Sequence, residues 1–234
     1  MNYNFKSIGT IHSCYKEKFG IPRQPGLVSS TATIEMDIEY SQDDSFRELE
    51  NFSHIWIFFV FHGIDSKDWK PTVRPPRLGG NQRVGVFASR SMFRPNPIGL
   101  SVVELKSVKR VESKMVLTIA GGDFLDATPV IDIKPYISYV DSIDTAKSGY
   151  AIEKPDLKFD IVFSESVQEN MQNAEEKYPR LSIIITEILK LDPRPAYHEK
   201  KQIKKEFAIK LYEYDLKWHV EGNKIIVTAL TTLD

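Results

Sequence analysis

Cysteine is nearly absent from this 234-residue sequence, with Cys14 the single one. One thiol forms no intrachain disulfide and builds no cysteine-based zinc site, and such usage fits a reducing cytoplasm. Long apolar runs are missing too. The longest, residues 55–61, falls far short of the about 20 residues a membrane helix needs, so a helical membrane protein is excluded. Residues 1–6 lack the basic stretch and apolar core of a secretory signal. Common catalytic signatures are also absent: no Gly-x-Gly-x-x-Gly after a strand, no His-Glu-x-x-His and no Gly-x-Ser-x-Gly. The histidines, His12, His54, His62, His198 and His219, lack metal-ligand spacing, so no metal is expected. Lys16 and Lys18 near Cys14 can lower a thiol pKa, but an ordinary buried thiol is the favoured reading.

What is present describes a globular protein. Hydrophobic residues make up 41% and charged residues 27%, and the length suits one large domain or two unequal ones. The net charge of −1 hides an uneven distribution. Residues 67–110 hold ten Lys or Arg against Asp68 and Glu104, whereas residues 35–50 hold seven acids against Arg47. Such asymmetry makes a basic patch on a neutral protein.

Residues 32–40 alternate apolar and polar, the period of a half-buried strand. Residues 55–61 read as a strand buried on both faces, and 84–88, 100–106, 115–120 and 130–133 as further strands. Residues 41–51 read as a short helix capped by Ser41 or Asp43, with Phe46 and Leu49 on its buried face. Many short strands with Gly/Pro loops predict a small β-barrel or sandwich. A polar linker follows at 141–157. Beyond it come a strand at 159–163, helices at 164–178 and 180–191, a strand from 207 to 219, and a hairpin turning at Glu221-Gly222-Asn223 into 224–230. The expected fold class is mainly β with an α+β C-terminal part: a barrel domain at 1–140, the linker, and a small α+β domain at 158–234.

Four proline-rich loops carry polar residues. Arg74-Pro75-Pro76-Arg77-Leu78-Gly79-Gly80 presents two arginines on a stiff support, suited to carboxylate or phosphate. Arg94-Pro95-Asn96-Pro97 fixes an amide that can donate and accept. Gly20-Ile21-Pro22-Arg23-Gln24-Pro25-Gly26 brackets an Arg and an amide in the same way. Asp192-Pro193-Arg194-Pro195-Ala196-Tyr197 does so again, followed by Lys200, Lys201, Lys204 and Lys205; basic residues around an aromatic suit single-stranded RNA. In residues 126–136 two acids and a Lys straddle a strand, and Asp132 between isoleucines faces solvent or a polar cavity.

With these residues in view, the chain resembles the TsaA-like β-barrel proteins of the bacterial tRNA methyltransferase O type. The resemblance is carried by residues 15–28, Phe52-Ser53-His54-Ile55-Trp56, residues 74–80, 85–88, Arg90-Ser91, 93–101, 132–136 and 192–197. It implies an S-adenosyl-L-methionine-dependent enzyme that methylates N6 of N6-threonylcarbamoyladenosine beside the anticodon of a threonine tRNA. It implies a cytoplasmic homodimer with the cofactor near the subunit interface. The family's cofactor contacts fall on Pro22, Arg23, Gln24, His62, Gly63, Arg90, Leu100, Asp126, Ala127, Thr128 and Pro129. The family often has Gly at Ala127, a larger polar residue at Gly63, and Ser-Pro where Ser13-Cys14 stands.

In that reading Arg23 or Arg90 pairs with the cofactor's carboxylate, and Leu100 packs on adenine. The acceptor nitrogen is ureido-like and loses a proton during attack, which needs a base; Asp126, Asp132 and His62 are the candidates. Arg94, Asn96, Arg194, Tyr197, Lys200 and Lys201 would hold the anticodon loop and the threonyl carboxylate. The rival readings are a non-enzymatic RNA- or nucleotide-binding module and a related methyltransferase with another substrate.

Overall fold

The computed structural model describes residues 3–157, 159–194 and 206–233. Six antiparallel strands close into a barrel: β1 (Gly9–His12), β2 (Thr31–Met36), β3 (His54–Val60), β6 (Ile98–Val111), β7 (Lys114–Ala120) and β8 (Thr128–Pro135), in the order β1-β2-β7-β6-β3-β8. Closure leaves no unpaired strand edge. Every second residue points inward, and Ile11, Ile34, Ile55, Ile57, Leu117, Ile119 and Val130 are fully buried. A two-stranded hairpin, β4 (Thr72–Val73) with β5 (Val84–Gly85), projects from the β3–β6 connection.

A short helix, α1 (Ser138–Asp141), leads out of the barrel. The C-terminal part is α+β. Strands β9 (Asp160–Phe163), β10 (Phe207–Leu211), β11 (Tyr214–Glu221) and β12 (Lys224–Thr232) form a sheet in the order β10-β11-β12-β9, with β9 parallel to β12. Helices α2 (Glu165–Lys177) and α3 (Leu181–Lys190) pack on it, burying Val167, Leu181, Ile185 and Leu189 against Leu216, Trp218 and Val227.

The two parts share a core. Cys14, Tyr15 and Val28 from the long β1–β2 loop are buried in the C-terminal cluster. Tyr15 bridges to Leu211, the Lys16 amide donates to Lys210 O at 3.3 Å, and the Tyr212 amide donates to Cys14 O at 2.8 Å. Cys14 is the inert thiol expected, since burial pushes it up to about 12.

Several local expectations give way to tertiary context. Residues 41–51 form two short 3-10 turns, Asp43–Phe46 and Leu49–Asn51, rather than a helix. The Ser41 hydroxyl caps nothing; it donates to Asp37 O at 3.0 Å and accepts from the Met115 amide. Phe46 and Leu49 still pack on the barrel core. Strand β3 is buried on one face only, because Trp56, Phe58 and Val60 point out of the barrel. Val86–Ala88 is a 3-10 turn, not the end of a strand. The run from 207 to 219 is two strands, broken at Tyr212, whose φ is 53°. Ser164 stands at the N-cap of α2 without a side-chain cap bond.

Candidate functional site

The β1–β2 loop is bonded to three other segments at one end of the barrel. The Ser13 amide donates to Asp126 Oδ1 at 2.9 Å, and the Ser13 hydroxyl to Phe124 O at 2.7 Å. Lys16 Nζ lies 2.6 Å from Asp126 Oδ2. Lys18 Nζ donates to the Gly63 carbonyl. The Gly26 amide donates to Gly121 O at 2.8 Å. Arg90 Nη1 donates to Gln24 Oε1 at 2.7 Å. Residues 22–24, 62–63, 90 and 126–129 come from four separate stretches, and these bonds connect them.

Within this cluster Pro22 is buried, so Arg23 and Gln24 leave a fixed backbone. His62 Nδ1 lies 3.4 Å from Thr128 Oγ1, which donates to Leu125 O at 2.6 Å. Ala127 is exposed with φ of 61°, a conformation that favours glycine. A Cβ on Gly63 would stand 2.7 Å from Lys18 Cε, so Lys18 fills the space a side chain at that position would take.

Leu100 is placed differently. It is 44% exposed on the outer face of the barrel, whereas its neighbour Ser101 is buried inside. Opposite Leu100 across β3 and β8 lie Phe58 and Asp132, forming an outward row. Asp132 does face solvent, and it pairs with Lys134 at 2.7 Å. A register shift at Phe58/Phe59 lets both Val130 and Ile133 turn toward the core around it.

Two recognition candidates are already engaged. Arg94 Nη1 donates to Ser89 O at 2.7 Å and to Val86 O at 3.2 Å, bracing the turn that presents Phe87. With Phe87 and Pro95, Arg94 and Asn96 line a recess of about 180 Å³. Arg194 makes a bidentate pair with Asp192, at 2.7 and 3.0 Å, and lies over the Phe159 ring. Its side chain is only 11% exposed, and no hydrogen bond or ion pair among the described residues links it to the barrel cluster. Tyr197, Lys200 and Lys201 lie outside the described residues.

Residues 10–142 match the family model of the tRNA-methyltransferase O N-terminal domain, and residues 156–233 that of the TrmO C-terminal domain. The chain belongs to the tRNA-methyltransferase O family. It is 45% identical over 230 residues to the Escherichia coli "tRNA (adenine(37)-N6)-methyltransferase", covering 98% of each. The crystal structure of TrmO from Pseudomonas aeruginosa superposes with a TM-score of 0.80 at 31% identity, covering 99% of this chain and 100% of that one. An Archaeoglobus fulgidus protein named "Probable S-adenosyl-L-methionine-binding protein" is 37% identical over 150 residues, 64% of this chain and 38% of that one.

The polar groups brought together at this end of the barrel fit a charged methyl donor: the Arg90 guanidinium bonded to the Gln24 amide, and the carboxylates of Asp123 and Asp126. The carboxylates differ in state. Burial raises the Asp126 carboxyl, but the Lys16 ammonium and the Ser13 amide outweigh it and hold the group below its ordinary range. Asp123, three residues earlier, is pushed the other way, up to about 6, chiefly by burial. Sequence reasoning missed Asp123, and with it Ser13, Lys16 and Lys18. The signal was slight: an acid directly after Gly121-Gly122 in the loop before Asp126. Among the described residues no group of His, Cys, Asp and Glu could hold a metal ion.

Proposed function

We propose that this chain transfers a methyl group from S-adenosyl-L-methionine to N6 of an adenosine beside the anticodon of a tRNA, and that the acceptor is N6-threonylcarbamoyladenosine in a threonine tRNA. The observation that carries the reading is the 45% identity, across both family domains, to a tRNA (adenine(37)-N6)-methyltransferase. When bound, the cofactor supplies a methyl group on a sulfonium that is already a good leaving group. The protein then has to bind, orient and exclude water.

Arg90, held by Gln24, and Arg23 beside it bind the donor's carboxylate through charge-assisted bonds. The Asp126–Lys16 pair and the Ser13 bonds keep residues 126–129 rigid against the β1–β2 loop. Of the three base candidates, Asp126 and Asp132 each carry a lysine. His62 is the one with no ion pair among the described residues, and we assign proton removal to it. Asn96 and the recess under Phe87 receive the modified nucleoside, and the lysine-rich C-terminal segment holds the anticodon loop. No helix among the described residues is long and apolar enough to cross a membrane, and we place the enzyme with its tRNA in the cytoplasm.

The outward row of Leu100 and Phe58, with Ile98 36% exposed, supports a homodimer across this face. Nucleoside mass spectrometry of tRNA from a strain lacking the gene tests the activity. Methylated N6-threonylcarbamoyladenosine should vanish and return with the parent gene. An Arg90→Ala gene should restore it poorly, and calorimetry should show its cofactor affinity reduced about tenfold or more. Unchanged modification in the deletion strain rejects the proposal.

A further inference from the structure

Asp123 lies in the β7–β8 connection, where the site segments meet. Its Oδ1 accepts a hydrogen bond from Ser101 Oγ at 2.6 Å, and Ser101 is buried in β6. Among the described residues it bonds no other residue and has no cation within ion-pair distance. Three of its neighbours are fixed to the loop that carries Arg23 and Gln24. Gly121 O takes the Gly26 amide, Phe124 O takes the Ser13 hydroxyl, and Asp126 takes Lys16.

A half-buried carboxylate, oriented through one oxygen and with Arg90 facing it only beyond ion-pair distance, is costly unless a ligand completes it. Asp126 and Asp132 have their lysines; Asp123 has none. The methyl donor has three charges at its amino-acid end: a carboxylate, an ammonium and a sulfonium. The arginines account for the first and leave a surplus of positive charge to be met. We propose that Asp123, held in place by Ser101 and facing Arg90, binds the cationic end of the methyl donor. The inference rests on the methyl-donor reading above and adds the residue that answers the donor's positive charge.

The groups facing Asp123 are Arg90 and Tyr15. Arg90 remains cationic, and burial drives the Tyr15 phenol further up, so it stays neutral. Asp123 itself takes up a proton near pH 6, since burial outweighs the pull of Ser101 and Arg90. Its attraction for a cation is therefore present at pH 8 and lost by pH 5.

Calorimetric titration of the full chain tests this with S-adenosylmethionine, S-adenosylhomocysteine and methylthioadenosine, the last lacking the charged amino-acid end. At pH 8, Asp123→Asn should weaken S-adenosylmethionine binding about 10- to 100-fold and leave methylthioadenosine nearly unchanged. An equal loss for S-adenosylhomocysteine assigns the contact to the ammonium; a loss confined to S-adenosylmethionine assigns it to the sulfonium. The parent's affinity for S-adenosylmethionine, relative to methylthioadenosine, should fall from pH 8 to pH 5, and that of the variant should not. If Asp123→Asn binds within twofold of the parent, the inference is overturned while the methyl-donor reading stands. If the parent binds no S-adenosylmethionine, the methyl-donor reading itself falls. Should circular dichroism show the variant unfolded, a flat parent ratio between pH 8 and pH 5 overturns the inference.

Discussion

At Ala127 a φ of 61° brings the Cβ close to the following carbonyl oxygen. An L-residue with a side chain pays about 1–2 kcal/mol for that conformation, and glycine avoids the clash. Part of the gain from glycine is returned through the larger entropy of the unfolded chain. Ala127→Gly should thus raise stability by about 0.5–1 kcal/mol. Denaturant titration checks this, and a lower midpoint would mean the local backbone relaxes in solution. Gly99 shows the opposite constraint. A Cβ there would run into the Phe59 ring, which lies across the strand at the paired position. The aromatic core of Phe59, Phe61 and Phe124 depends on that absent side chain.

The β1–β2 loop is the element that ties site to scaffold. It reaches the barrel through Ser13, Lys16, Lys18 and Gly26, and the C-terminal part through Cys14, Tyr15 and Ser29. Glu187 on α3 accepts from the Ser29 amide at 2.7 Å and the Ser29 hydroxyl at 2.9 Å. Removing that carboxylate leaves two partly buried donors without their acceptor. Glu187→Ala should therefore cost roughly 1–2 kcal/mol of stability in thermal melts. A neutral result would show that water replaces the carboxylate there. The 67–110 surplus also sorts by element. Arg110 at the far end of β6 pairs with Asp43 of the acidic 35–50 stretch and Lys106 with Glu104 on β6 itself, while Glu35 takes Lys114 from β7. The excess charge that remains is on the loops before β6, beside the candidate site.

For the whole molecule, the exposed row on β3 and β6 leads to the proposed assembly. An apolar Leu100 beside Phe58 on the face of a closed barrel is covered most simply by a second copy. Leu100→Glu should shift the sedimentation coefficient from dimer to monomer at micromolar concentration. A monomeric parent would remove the dimer from the proposal.

Much of the architecture was legible because alternation is a local property. The period of two in residues 32–36, and the apolar run beginning at Ile55, mark strands in any tertiary setting. The amphipathic stripe of Leu181, Ile184, Ile185, Ile188 and Leu189 likewise marks α3. Residues 41–51 were not legible. Their polar turns are held by Ser41 bonding to Met115 and Arg110 reaching Asp43, partners more than 60 positions away. Loop chemistry divides in the same way. Sequence alone marked Gln24 as unusual, through the prolines and glycines around it, and family likeness named Arg90 and the cofactor. Only the folded chain joins those two side chains, turns Arg194 inward onto Asp192, and leaves Asp123 without an ion pair among the described residues at the barrel end. The reason is physical: periodicity acts between neighbours in the chain, whereas charge pairing and burial act between neighbours in space.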